Sequence, residues 1–170
     1  MTPTRNRSQG GSDIKLRSNS SRTIGPASID RYAVGTPSIV AVSALEVGVD
    51  TVLAAGMEAL RKKSAALTQL FIDLVEQRCA GQELSLASPR QAERRGSQVC
   101  FSHPHAYAVM QALIKRGVIG DFRAPDILRF GFAPLYVGYA DVWDAVLALH
   151  HVLTSHEWQC AEFQTREAVT

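Results

Sequence analysis

Apolar positions recur at helical spacing over two long stretches of this chain. Ile39, Val40, Val42, Leu45, Val49, Val52 and Leu53 make a first run that ends near Gly56. Ahead of it, Thr36 is suited to an N-cap and Pro37 to the first helical position. A second run over residues 57–79 puts Leu60, Leu67, Leu70, Phe71, Leu74 and Val75 on one stripe. It predicts that Arg61, Lys62 and Lys63 face away, and Gly81 stops it. The texture then shortens. Residues 83–87 and 97–102 read as strands on either side of a charged loop from Arg90 to Arg95. His103-Pro104 breaks the second strand, and 107–116 reads as a helix closing at Gly117. Residues 118–119 and 127–132 read as two short strands around a 120–126 connection. A last helix over 139–154 has Asp141 near its start and Val142, Val146, Leu149 and Leu153 on one face.

Two helices followed by strand-strand-helix-strand-strand-helix predict an α+β domain, with helices packed on one face of a short, mainly antiparallel sheet. The other face of such a sheet is free, to be covered or used. Composition agrees with a packed domain: of 170 residues, 46% are hydrophobic and 20% charged, which excludes collagen-like, mucin-like and wholly disordered chains.

Charge divides the chain. Residues 1–30 carry Arg5, Arg7, Lys15, Arg17 and Arg22 against Asp13 and Asp30, with six serines. Residues 31–170 are close to neutral, and the whole-chain charge of +2 is too small to imply a polyanion or a membrane surface as partner. No apolar stretch has the length of a membrane span, and no apolar run follows the basic start as in a secretory signal. An Arg/Ser-rich, acid-poor opening is compatible with a transit peptide or a nucleic-acid-binding arm. The plainer expectation is that 1–30 is a disordered or unrelated stub and 31–170 the folded domain. Cys79, Cys100 and Cys160 lie far apart with no Cys/His spacing for zinc, and read as reduced thiols of a cytoplasmic protein.

The strand around Arg129 carries most of the chemistry. Side chains alternate along it, so Leu128, Phe130 and Phe132 face the helices while Ile127, Arg129 and Gly131 face the other way. An arginine there calls for a partner. That partner is either an acidic residue on a neighbouring element or a ligand carboxylate or phosphate gripped by the guanidinium fork, with Gly131 leaving room beside it. Thr36 at a helix start offers either a plain cap or a contact to an anion. His103/His105 and His150/His151 lack metal spacing, and no nucleophile–base set or phosphate loop is present. None of the four lysines (Lys15, Lys62, Lys63, Lys115) sits where desolvation would make it a Schiff-base nucleophile. The residues alone yield no catalytic set and no metal site.

A combination of short motifs adds to this reading. They are Val34-Gly35-Thr36-Pro37, Leu60-Arg61-Lys62-Lys63-Ser64, Leu74-Val75-Glu76-Gln77-Arg78-Cys79, Arg95-Gly96-Ser97, Arg116-Gly117-Val118-Ile119-Gly120-Asp121-Phe122-Arg123, Leu128-Arg129-Phe130-Gly131-Phe132-Ala133-Pro134-Leu135-Tyr136, Val142-Trp143-Asp144-Ala145-Val146 and Phe163-Gln164. Together they resemble the C-terminal part of bacterial kynureninases, pyridoxal-phosphate enzymes of fold type I, and the likeness covers 31–170. Class V aminotransferase-like relatives such as cysteine desulfurases are not expected to share the Arg-Gly-Val-Ile-Gly-Asp run. The resemblance implies the small C-terminal domain of a homodimeric hydrolase. Such enzymes cleave L-kynurenine or its 3-hydroxy derivative to an anthranilate and L-alanine, in tryptophan catabolism and NAD biosynthesis. It implies that Arg129 pairs with the substrate α-carboxylate and that Thr36 reaches the cofactor phosphate across the dimer. Gly35 would border the pocket for the substrate ring.

The departure is as informative. The family's large α/β domain, with its Schiff-base lysine, is not matched here, and 1–30 shows no likeness to it. The expectation is a shortened or frameshifted kynureninase-type chain, inactive alone, with the apolar surface of its first helix uncovered. The alternative is a non-catalytic module that pairs with a full-length homologue.

Overall fold

The computed structural model describes residues 35–165, and the chain divides into two compact units, Met1–Ser43 and Ala44–Thr170. The stub expected at 1–30 lies outside the described residues.

Helix α1 (Ile39–Ala55) crosses the boundary between the units and begins two residues later than the position of Pro37 predicts. Ser38 supplies the cap: its hydroxyl accepts the Ala41 N–H at 3.5 Å. Thr36 is therefore not the N-cap, because a second capping residue stands closer to the apolar run and takes that place. Gly35 and Thr36 are exposed, and no residue of α1 is buried.

In the second unit, Gly56 turns the chain from α1 into helix α2 (Met57–Arg78) with φ of +77°, a conformation that favours glycine. Of the stripe read from the sequence, Leu67, Phe71, Leu74 and Val75 are in the core, joined by Ile72, while Leu60 and Leu70 are half-buried. The predicted outward basic run is only partly outward. Arg61 donates to the carbonyls of Arg95 (3.0 Å) and Ala92, and Lys63 donates to that of Pro134 at 2.8 Å. Long basic side chains near the edge of a helix stripe reach orphan loop carbonyls, which spacing alone does not show.

Four strands follow, β1 (Ser85–Leu86), β2 (Gln98–Ser102), β3 (Asp121–Arg123) and β4 (Ile127–Gly131), in the spatial order β1-β2-β4-β3, all antiparallel. Helices α3 (Ala106–Lys115), α4 (Tyr139–Thr154) and α5 (Ala161–Gln164) complete the unit. The buried positions alternate along the sheet: Val99 and Phe101 on β2, Leu128 and Phe130 on β4. They share one core with buried residues of α2, α3 and α4; the Phe71 ring of α2 has its centroid 4.9 Å from that of Phe130 and 5.1 Å from that of Phe132. This is the expected α+β layer, helices on one face of an antiparallel sheet.

One predicted strand is misplaced. Residues 118–119 are not a strand but the end of the α3 cap. Val118 N–H bonds the Leu113 carbonyl and Gly117 N–H that of Ile114, with Gly117 at φ +85°. That pair of bonds closes a helix with a left-handed residue and consumes the backbone groups that a strand would pair. The strand begins only after Gly120. A Cβ at Gly120 would lie 2.6 Å from Met110 Cε and 2.9 Å from the Arg129 carbonyl oxygen, so the chain passes too close to α3 and β4 for any side chain. This close passage delivers Asp121 to the sheet.

Candidate functional site

The helix-free face of the sheet is set by cross-strand register. Arg129 on β4 is the partner of Cys100 on β2 and of Asp121 on β3, so all three side chains share that face. Gln98 and Gly131 are the next pair along it, and Arg123 pairs with Ile127 in the other direction. These positions are exposed or half-exposed, against the fully buried Val99, Phe101 and Leu128 on the opposite face.

At its centre the Arg129 guanidinium donates from Nη2 to Asp121 Oδ2. The same oxygen lies 3.3 Å from Arg123 Nη2. Arg129 Nε is buried and has no hydrogen-bond partner among the described residues. Two guanidinium groups therefore share one carboxylate, leaving an excess positive charge on this face, with the Arg129 Nε beneath it unspent. The Arg129 bond holds the Asp121 carboxyl below its ordinary range, and the Arg123 charge adds to the effect. A Cβ built on Gly131 meets nothing within 4 Å, so the space beside Arg129 is open. Gln98 donates to Cys100 Sγ at 3.2 Å.

The sequence left two partners open for Arg129, an internal acid or a ligand, and the structure supplies the internal acid. Asp121 itself was missed as a site residue because the strand was placed at 118–119, which put Asp121 in the connection. The available signal was Gly117 followed by Gly120, a helix stop and then a close passage. Gly35 and Thr36 belong to the first unit.

The other candidate groups are accounted for locally. His103 is buried and its Nδ1 accepts the His105 N–H at 3.0 Å, while burial pushes its pKa down. His105 stacks on Trp158 with centroids 4.3 Å apart. Cys79 is buried, which pushes its thiol up to about 11, away from reactivity. Lys115 pairs with Glu162 at 2.7 Å. A cavity of about 660 Å³ lies on the helix side, floored by Phe71, Phe130 and Phe132. Its polar groups are partly spent, Arg116 on Glu157 and Asp141 on the Gly138 N–H. Among the described residues no three His, Cys, Asp or Glu side chains gather as metal ligands, and no single helix is long and apolar enough to cross a membrane.

Comparison with known proteins narrows the chemistry. A family model described as kynureninase C-terminal domain matches residues 60–149. The chain is 56% identical over 142 residues to proteins named kynureninase from Burkholderia mallei (strain SAVP1) and Burkholderia pseudomallei (strain K96243). It is 54% identical over the same length to one from Pseudomonas fluorescens. Each match covers 84% of this chain and 34% of the relative, so the chain spans about a third of the length of the curated relatives it matches. The matched stretch includes the whole Arg129 face.

Proposed function

The chain belongs to the kynureninase family, and we propose that its second unit is the part that grips the substrate α-carboxylate through Arg129. The whole-protein activity proposed with it is hydrolysis of L-kynurenine, or its 3-hydroxy derivative, to the corresponding anthranilate and L-alanine. The observation that carries this reading is the Arg129 guanidinium itself. It stands on an open sheet face with one donor buried and unbonded and free space beside Gly131. A guanidinium fork matches a carboxylate with two parallel bonds and fixes both position and orientation. The excess charge contributed by Arg123 draws an anion toward it.

Pyridoxal phosphate, which the family implies, supplies an electron sink at the substrate α-carbon when bound. The described residues do not by themselves fit it. Lys63 is bonded to a backbone carbonyl, Lys115 to Glu162, and Lys62 is an exposed residue of α2. Lys15 lies outside the described residues. No step is therefore assigned to these side chains beyond carboxylate binding. Thr36 remains the proposed phosphate contact across a family dimer, its hydroxyl not being taken up in the α1 cap, and Gly35 the proposed border of the ring pocket.

Titration of the purified chain with L-kynurenine tests the clamp. Chemical-shift changes centred on 121–131 and their loss in Arg129→Ala are expected; equal binding by that variant overturns the reading. With pyridoxal phosphate and L-kynurenine added, the 170-residue chain is expected to release no anthranilate. A fluorescence rise above the protein-free control overturns that part.

A second reading, a non-catalytic module that pairs with a full-length homologue, is favoured by a separate observation: Leu45, Val47, Val49 and Leu53 of α1 are exposed. Co-purification with the Pseudomonas fluorescens kynureninase, abolished by Leu45→Lys with Leu53→Lys, would support it. Unchanged capture by that double variant would count against it.

A further inference from the structure

We propose that Asp121 is a positioning residue for Arg129, setting the direction in which the guanidinium meets a carboxylate; the inference rests on the clamp reading above and deepens it. An arginine side chain has four torsions to fix, and an unheld one points in many directions on an open face. Here the direction is fixed from outside its own strand. Asp121 and Arg129 are register partners on β3 and β4, which brings their Cβ atoms to cross-strand contact distance on the same face. The carboxylate engages only Nη2 of Arg129, leaving Nη1 and the buried, unpartnered Nε. Arg123, two residues along β3, also lies 3.3 Å from the same Oδ2. The carboxylate is thus tethered at one end by its own strand and presents a fixed acceptor to the other.

Stability alone is a poor explanation of the pair. The Asp121 and Arg129 side chains are 45% and 29% exposed, and ion pairs in that setting contribute little to folding. The chain also goes to some length to deliver Asp121. The α3 helix is closed by Gly117, and a glycine is required at 120 before the strand can begin.

Positioning and simple electrostatics predict opposite signs. Removing the Asp121 charge makes the face more positive, so electrostatics alone would tighten carboxylate binding. If Asp121 holds the guanidinium, the same change weakens binding, because the freed side chain must be ordered by the ligand. The expected loss is about 3- to 10-fold in affinity, the range for immobilising one flexible side chain.

The full chain, labelled with ¹⁵N, provides both readouts. The Arg129 Nε–H resonance is identified by its loss in Arg129→Lys. In the wild type it is expected to be ordered on the fast timescale and slow to exchange, and to move with L-kynurenine but not with L-kynurenine α-amide. In Asp121→Asn it is expected to become mobile, with weaker kynurenine binding, and Asp121→Glu should restore part of both. The backbone amides of α2 and α4 report whether each variant is folded; if Asp121→Asn is not, Asp121→Glu and Arg123→Gln carry the comparison, each expected to loosen the resonance in part. An Arg129 Nε–H that stays ordered in the variants, or kynurenine binding that is equal or tighter in Asp121→Asn, overturns the proposal. A wild-type chain whose Arg129 resonance ignores L-kynurenine overturns the clamp reading instead, and the mobility comparison then still decides whether Asp121 holds the guanidinium.

Discussion

Arg95 shows what a single residue type can do when the site demands geometry and not charge. It is buried and has no acidic hydrogen-bond partner among the described residues, yet it donates to the carbonyls of Pro89 and Arg90 at 2.8 Å and to Thr68 Oγ1 and Gln69 Oε1 at 3.3 Å. It fastens the 88–95 loop to α2. Its neighbour Arg90 pairs with Glu76 on the surface, where the pair contributes little. Arg95→Lys keeps the charge and loses the fork, so the buried Thr68 hydroxyl and the half-buried acceptors of the loop lose a partner. The expected cost is about 2 kcal/mol in urea denaturation, against about 0.5 kcal/mol or less for Glu76→Gln. Equal costs for the two changes would contradict the assignment. His103 gives the pH counterpart. Its folded-state pKa lies below the ordinary value because the ring is buried. Below about pH 6.5 the unfolded chain binds a proton that the folded chain resists, so stability falls as pH drops from there toward the folded pKa. Denaturation midpoints measured downward from pH 7 should decline more steeply for the wild type than for His103→Asn; identical slopes would remove the claim.

At the scale of elements, the parts legible in the sequence are those whose periodicity runs long enough to declare itself. The α2 stripe, the alternation of β2 and β4 and the apolar face of α4 all stand where the pattern places them. What escaped was decided by backbone bonding that leaves no periodic trace. Val118 and Ile119 look like a strand but close a helix, and Thr36 looks like a cap but yields to Ser38. The Arg129 face was half legible for the same reason. Its arginine and glycine are visible in the strand, while its acid arrives from an element only three residues long. Gly120 is the hinge of that arrival. Gly120→Ala forces a Cβ against the Arg129 carbonyl, a backbone atom that cannot swing aside as Met110 can. A loss of about 1–3 kcal/mol is expected, as for other overpacking changes. It should come with movement of β3 amide resonances. Gly131→Ala meets open space and should change stability by about 0.5 kcal/mol or less. A Gly120→Ala chain as stable as wild type would show that β3 does not pass as closely as described.

For the molecule as a whole, the unresolved physical problem is the apolar surface of α1. Leu45 is 64% exposed, Val47 67% and Leu53 69%, and the helix has no buried residue. At its far end a groove of about 280 Å³ lined by Val52, Met57, Leu60, Pro134 and Leu135 continues the apolar character within the second unit. Exposed patches of this kind mark surfaces that bind something or aggregate. The sequence already pointed here, because the resemblance implies a large domain that would otherwise cover this helix. The core of the second unit does not use these side chains, since its buried residues begin at Ser64. Solubility and folding stability should therefore separate on substitution. Leu45→Lys with Leu53→Lys is expected to lower concentration-dependent association in sedimentation and to reduce binding of an apolar dye. The urea midpoint should shift by about 0.5 kcal/mol or less, as for surface changes. If the double variant instead unfolds together with the rest of the chain, α1 contributes to the core and its exposed face is not a free surface. If it stays folded and still associates, the apolar surface responsible lies outside the α1 face, and the groove floored by Leu60 becomes the next place to substitute.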